Sequence, residues 1–202
     1  MRSSSRAEQL AQSIDLAVSA VIGARVDQYR DPTPCTDFTV RDLVNHVARM
    51  LLLTTAAGSR TEWDPGLLTA DPVPVLAGRP ESDWAAVVGR TAGSAAGAWS
   101  DTTAWEGEAS LVGPPVPAVV LGEILIAEFT VHAWDTAVAT GQPLTVPAPL
   151  AAVTLDTFTR EAPRMRGFGL LADEVPQNAG APVLDRALAL TGRDPRWSRP
   201  AV

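Results

Sequence analysis

The sequence predicts an all-α protein built as a helical bundle. Several segments repeat apolar residues at every third or fourth position, which is the spacing of a buried helix face. Strand signals are weak, and no internal repeat or low-complexity linker is present. Apolar residues make up 46% of the 202 residues, which is enough to bury a core without disulfides or structural staples.

The first two helices are predicted on either side of a proline-containing turn. In RAEQLAQSIDLAVSAVIGARV, apolar residues recur at Leu10, Ile14, Val18 and Ile22. The turn DPTPCTD follows, and FTVRDLVNHVARMLLLTTAAG then predicts a helix capped by Thr39 and stopped by Gly58. The apolar face of this second helix consists of Val40, Leu43, Val47, Met50 and Leu51.

The rest of the chain predicts further helices separated by irregular segments. Residues 59–80 are rich in Pro and Gly and predict a loop, and ESDWAAVVGRTAGSAAGAW predicts a third helix. WEGEASLVGPPVP predicts a connector that could contain a small hairpin, before a fourth helix over roughly 116–140. A fifth helix in APLAAVTLDTFTREAP is expected to stop at Pro163, and APVLDRALALTG predicts a short sixth.

We therefore expect one domain over residues 1–202. Its core is a four-helix bundle over about residues 6–162, and residues 163–202 form a C-terminal extension. Exposed apolar faces on such a bundle would make a homodimer unsurprising.

Charge and cysteine content exclude several classes of function. The formal charge is −7 and the sequence has no basic run, so we expect neither nucleic-acid binding nor attachment to an anionic membrane surface. Cys35 is the one cysteine, so no disulfide can form within the chain. The first residues do not resemble a signal peptide, and AVVLGEILIAEF is too short and too acidic to span a bilayer. A cytoplasmic location is expected.

Three side chains form a candidate metal site. Glu128 and His132 are four residues apart in EFTVHAWD, so they share one face of the fourth helix. His46 is the other histidine of the chain and lies in the middle of the second helix. If these helices are neighbours, the three residues form a set typical of catalytic zinc, with iron, nickel and manganese as alternatives. A plain surface Glu–His pair and a hydrogen-bonded core histidine remain the structural alternatives.

Two motifs resemble a known family. TPCTDFTVRDLVNHV and EFTVHAWDTAVATG are similar to the paired motifs of the actinobacterial branch of the DinB-like superfamily, which includes mycothiol-dependent maleylpyruvate isomerases. RALALTGRDPRW resembles the tail of the same branch, and the resemblance spans about residues 8–197. It implies a four-helix bundle whose His46, Glu128 and His132 hold a divalent metal, usually zinc. Phe38 stands where the motif often has Trp, which we interpret as a packing change. The isomerase carries a larger C-terminal domain than the residues that follow the fourth helix here, so the resemblance implies the metal site more strongly than the isomerase reaction.

The resemblance implies a small thiol, mycothiol, as co-substrate. The first functional hypothesis is a metal-dependent thiol transferase or isomerase acting on an electrophilic small molecule. The second is a thiol-independent hydrolase, lyase or cyclase of specialised metabolism that uses the same metal. The third is a non-catalytic protein that binds a metal or a small molecule.

A few other residues are candidates for supporting roles. Asp135, three residues after His132, could orient an imidazole or could be an ordinary packing residue. Arg164 and Arg166 could bind substrate carboxylates, or could simply be solvated. Cys35 lies near a helix start, where a thiol pKa can be lowered, although a small residue filling a pocket explains it as well. Asn45 points away from His46, and we interpret it as structural.

Overall fold

Four helices close into a ring, and two more are added on the outside. A computed structural model describes residues 5–200. In this part of the chain the helices are α1 (Arg6–Gly23), α2 (Val40–Ser59), α3 (Trp84–Ala98), α4 (Ala118–Thr140), α5 (Ala148–Gly167) and α6 (Val183–Leu190). Short 3₁₀ turns cover Val26–Gln28, Pro65–Leu68, Glu81–Asp83 and Thr102–Trp105.

The ring is formed by the pairwise packing of α1–α4. Helix α1 packs on α3 and α4, and α2 packs on the same two helices from the other side. Helix α5 covers α4, and α6 packs on α5. Before α4, β1 (Glu108–Ala109) pairs antiparallel with β2 (Val116–Pro117). The predicted all-α bundle with a small hairpin and an added C-terminal helix is therefore confirmed.

The start of α1 and of α2 is set by a capping box. Ser5 and Glu8 hydrogen-bond to each other's backbone N–H groups at the start of α1, and Thr39 and Asp42 do the same at α2. The predicted cap at Thr39 is confirmed.

Ile22 does not lie on the buried face of α1, although its spacing predicted that it would. Its side chain is 57% exposed, while Val21 is fully buried. Steps of four residues drift around a helix, and by Ile22 the drift from Leu10 has reached about 120°.

Gly58 does not stop α2 as predicted. The helix continues to Ser59, and Arg60 takes the left-handed conformation at its end, with φ of 55°. A methyl group on Gly58 would lie 2.6 Å from Trp99 Nε1 and 2.7 Å from the Ala98 carbonyl oxygen. Gly58 is therefore needed for the close approach of α2 to the end of α3 rather than for a turn.

Pro163 does not stop α5 either. The helix runs on to Gly167, so Arg164 and Arg166 lie in its last turn rather than after it. Proline removes one helical hydrogen bond, which normally ends a helix. Here Ala162 and Met165 pack into an apolar cluster with Leu188 of α6. This tertiary packing keeps the helix intact beyond the proline.

Helix α4 is the central element of the bundle. None of its residues is exposed, and 16 of its 23 residues are buried. Polar side chains within it are satisfied locally: the Thr130 and Thr136 hydroxyls donate to the carbonyls of Ile126 and His132. Among residues 5–200, no helix combines the length and the apolar character that a membrane crossing requires.

The close contact at Gly58 predicts the effect of adding one methyl group. We expect Gly58→Ala to lower the free energy of unfolding by about 1–3 kcal/mol, because Trp99 and the α3 backbone would have to shift. Gly93→Ala in α3 is the matched control, since a methyl group there meets nothing within 4 Å. The free energy of unfolding of this control should rise by up to about 1 kcal/mol, because alanine has a higher helix propensity than glycine. Urea unfolding of both variants tests this, and equal stability of the two would contradict it.

Candidate metal centre

Three donor side chains meet where α2 faces α4. His46 Nε2 lies 2.7 Å from Glu128 Oε1, and His132 Nε2 lies 3.2 Å from the same oxygen. One ligand atom from each residue lies within 4.8 Å of the others, so the three form a group that could hold a metal ion. The structure thus brings together the three residues predicted as ligands.

Helix geometry explains how the three side chains converge. Glu128 and His132 are one turn apart on α4 and lie on the same face. His46 reaches them from the middle of α2, whose neighbouring residues Leu43 and Val47 are buried in the bundle. The side chains of His46 and Glu128 remain 16% and 21% exposed, whereas His132 is 8% exposed. The group is therefore partly buried, with an approach from solvent on the side of His46 and Glu128.

A buried ion pair lies behind His132. Asp135 Oδ2 lies 2.9 Å from His132 Nδ1, and the Asp135 side chain is fully buried. The Arg193 guanidinium donates to both carboxylate oxygens of Asp135, through Nε and Nη2, at 2.8–3.0 Å. Asp135 had two open interpretations from sequence, and the structure places it in contact with the imidazole. Arg193 was missed, although it lies in the motif RALALTGRDPRW.

The pKa shifts show how the two imidazoles share one carboxylate. Burial lowers the pKa of His46, against its hydrogen bond to Glu128. Burial acts in the same direction on His132, but the Glu128 charge and the Asp135 hydrogen bond outweigh it and raise the pKa of His132 to about 9. Burial disfavours the Glu128 anion, yet His132 and the hydrogen bonds from both rings hold the pKa of Glu128 well below its usual value. The opposite directions of these two shifts favour protonation of His132 over His46.

The donor set fits a divalent cation. Bonds of about 2.0–2.1 Å in tetrahedral geometry place neighbouring ligand atoms about 3.3 Å apart, so the observed 2.7 and 3.2 Å separations need only small side-chain shifts. The Asp135 contact directs Nδ1 of His132 away from the group and leaves Nε2 to face it. With three protein ligands, one or more positions would remain for an outside ligand.

Phe38 forms an apolar wall beside the imidazoles. Its ring centroid lies 5.3 Å from that of His46 and 6.5 Å from that of His132. The substitution of Phe for Trp at this position therefore concerns the immediate surroundings of the site, in addition to packing.

The other candidate residues have different surroundings. Arg164 pairs with Glu161 within α5, and Arg166 donates to the Leu190 carbonyl at the end of α6, so neither contact involves the three donors. Their proposed substrate role stays a prediction. Asn45 accepts a hydrogen bond from the Val73 N–H and anchors the 59–80 loop, which agrees with a structural role. Burial raises the pKa of the Cys35 thiol to about 11, with Arg193 opposing, which agrees with a small residue filling a pocket rather than with an activated thiol.

A cavity of about 710 Å³ lies elsewhere in the molecule. It is lined by the C-terminal end of α2, by the segment that follows, and by the hairpin, including Ala56, Arg60, Trp63 and Glu108. Ala56 is ten residues beyond His46, about 15 Å along the helix axis. None of the three donors lines this cavity. Ionisable side chains converge at the donor group rather than at this cavity.

Comparison with known proteins gives the family. A profile described as the mycothiol maleylpyruvate isomerase N-terminal domain matches residues 10–137. The chain belongs to this DinB-like family. The match confirms the resemblance seen in the two motifs, and the matched segment contains His46, Glu128, His132 and Asp135.

Two similar proteins are described without an activity. Two proteins from strains of Mycobacterium tuberculosis, each described as an uncharacterized protein (Rv0738 and MT0763), are 31% identical to the chain over 197 residues. The alignment covers 94% of this chain and 97% of each relative. No solved structure matches the chain.

The donor geometry predicts which variants lose a metal. We expect the purified protein to bind one divalent ion per chain, and His46→Ala and Glu128→Gln to lose it, because each variant leaves only two ligands. Glu123→Gln is the matched control, since Glu123 is also a carboxylate of α4 but pairs with Arg6 and Arg160. Elemental analysis measures the ratio of metal to protein. Retention of stoichiometric metal by both site variants would contradict the assignment.

The raised pKa of His132 predicts that metal binding depends on pH. At neutral pH the metal-free protein holds a proton on His132, and a metal must displace it. Zinc affinity should therefore rise by about tenfold per pH unit and level off near pH 9. Competition with a chromophoric chelator measures this affinity. Asp135→Asn should move the levelling point to lower pH, whereas an affinity independent of pH would show that no proton is displaced.

Proposed function

We propose that this protein is a divalent-metal enzyme that activates a small thiol, of the mycothiol type, for transfer to an electrophilic small molecule. Zinc is the first candidate metal, because two imidazoles and one carboxylate suit it. The observation that supports this proposal most directly is the group of three donors between α2 and α4, His46, Glu128 and His132, which is partly open to solvent.

The thiol is supported by the chemistry of such a group and by the family. A divalent cation held there would lower the pKa of a coordinated thiol and fix its sulfur in position. The family profile carries mycothiol in its description, and its match includes all three donors. These two points favour the thiol hypothesis over the thiol-independent alternatives.

Side chains around the metal centre orient its ligands and set the polarity of their surroundings. The contact between Asp135 and Nδ1 fixes the ring of His132. Phe38 lies against both imidazoles and gives them an apolar neighbour on one side, where a lower local dielectric would strengthen electrostatic interactions. The exposed portions of His46 and Glu128 leave one side free for the thiol and the electrophile to approach.

The activity test measures thiol consumption. Zinc-loaded protein, mycothiol and a chromogenic aryl chloride are mixed, and each turnover forms one carbon–sulfur bond and releases chloride and a proton. We expect a rate above background that falls to background after chelation and in Glu128→Gln, while Glu123→Gln keeps the wild-type rate.

Two results would contradict the thiol proposal. One is consumption of the electrophile at the same rate when mycothiol is omitted, which would indicate metal-dependent hydrolysis. The other is stoichiometric zinc binding without turnover across a panel of aryl halides, epoxides and unsaturated acids, which would indicate a binding protein.

A further inference from the structure

We propose that Arg193 is a positioning residue of the metal centre, acting through Asp135 on His132. The inference rests on the metal centre proposed above. The inference makes the C-terminal segment after α6 part of the site. The match to the family profile covers residues 10–137 and does not include this segment.

All three nitrogens of the Arg193 guanidinium donate hydrogen bonds within the protein. Its Nε donates to Asp135 Oδ1 at 2.8 Å, and its Nη2 donates to Oδ2 at 2.8 Å. Its Nη1 donates to the Thr191 hydroxyl at 3.0 Å. The side chain is only 8% exposed. An arginine engaged in this way orients a carboxylate and has no free edge for a substrate anion.

Asp135 needs this partner because it is fully buried. Oδ2 is shared between Arg193 and Nδ1 of His132, so the guanidinium fixes the position of the oxygen that meets the ring. An unpaired carboxylate at this depth would be strongly disfavoured as an anion. A protonated or rotated Asp135 would no longer hold His132 with Nε2 directed at the donor group.

The end of α6 places the backbone of Arg193. The Gly192 N–H donates to the Ala189 carbonyl, and the Arg193 N–H donates to the Leu188 carbonyl. This pair of bonds is a Schellman cap, with Gly192 in the left-handed conformation at φ of 84°. A methyl group on Gly192 would also lie 2.6 Å from Ala172 Cβ. Glycine is therefore required at the residue that turns the chain towards Asp135.

A second anchor holds the same segment. Arg199 pairs with Asp31 at 3.0 Å, and Trp197 packs against the main apolar core. Asp31 belongs to the turn that leads into α2 and accepts a hydrogen bond from the Val40 N–H through its carbonyl. The segment after α6 is thus attached both to α4, through Arg193, and to the approach of α2.

The test compares zinc and cobalt binding in full-length variants. We expect Arg193→Gln to weaken zinc binding by about 10- to 100-fold, the range seen when residues that orient metal ligands are replaced. The visible spectrum of bound Co²⁺ should change as well, because the ring of His132 is no longer fixed. Arg196→Gln is the matched control, since it removes an exposed arginine ion pair of the same segment, with Asp194, and it should keep the wild-type affinity and spectrum. The zinc affinity of Arg193→Lys should lie between that of Arg193→Gln and that of the control, because lysine keeps the charge but cannot make the bidentate contact with Asp135.

A double variant separates positioning from folding. If Arg193→Gln alone leaves Asp135 unpaired and the protein unfolds, Asp135→Asn combined with Arg193→Gln removes both charges and restores a neutral pair. We expect this double variant to fold and still to bind zinc about 10- to 100-fold more weakly than wild type. Wild-type affinity and an unchanged Co²⁺ spectrum in a folded Arg193 variant would overturn the inference. Failure of the unmodified protein to bind zinc would instead overturn the metal centre itself, and it would be seen before any variant is made.

Discussion

The burial of charge along α4 is the constraint on which the site depends. Glu128, His132 and Asp135 fall within eight residues of a helix that has no exposed residue. A buried charge must find a partner, and α4 alone cannot supply enough of them. The partners come from two distant parts of the chain, His46 on α2 and Arg193 after α6. Acidic and basic groups therefore alternate in one chain of contacts across the molecule, from His46 to Arg193.

The charges of this chain suit an anionic outside ligand. With one proton on the imidazoles, the negative charges of Glu128 and Asp135 are balanced by His132 and Arg193. Replacing that proton by a divalent cation would leave one excess positive charge. A thiolate would neutralise it, whereas a neutral ligand would not. The electrostatics of the residues present thus agree with the proposed thiol chemistry.

Stability alone gives no reason to keep such a cluster. Replacing buried ion pairs by apolar residues of similar volume is often neutral or stabilising, by about 1–4 kcal/mol. A bundle with an apolar α4 would close over the same core, and Phe38 already shows that apolar side chains pack here. The exposure also falls along the cluster, from 21% at Glu128 to none at Asp135. The exposed end of the cluster, at Glu128, suits binding of a ligand from solvent. The buried end, at Asp135, suits orientation of the His132 ring.

The sequence by itself determined the local features of this protein. The residue pattern predicted the six α-helices, the Thr39 cap was predicted from residue type, and the shared face of Glu128 and His132 followed from a spacing of four. These features depend on neighbours within one or two turns, which a sequence displays directly. His46 was proposed as the third ligand because it is the other histidine of the chain and lies in the second helix, and the motifs added the family.

Only the tertiary structure decided the features that depend on distant residues. It showed that Gly58 makes room for Trp99 and that α5 continues past Pro163 because α6 packs there. It also brought Arg193 to Asp135 across 58 residues of chain. Such contacts are set by helix packing and by the direction in which a cap turns the backbone, and neither has a period that the sequence alone can reveal.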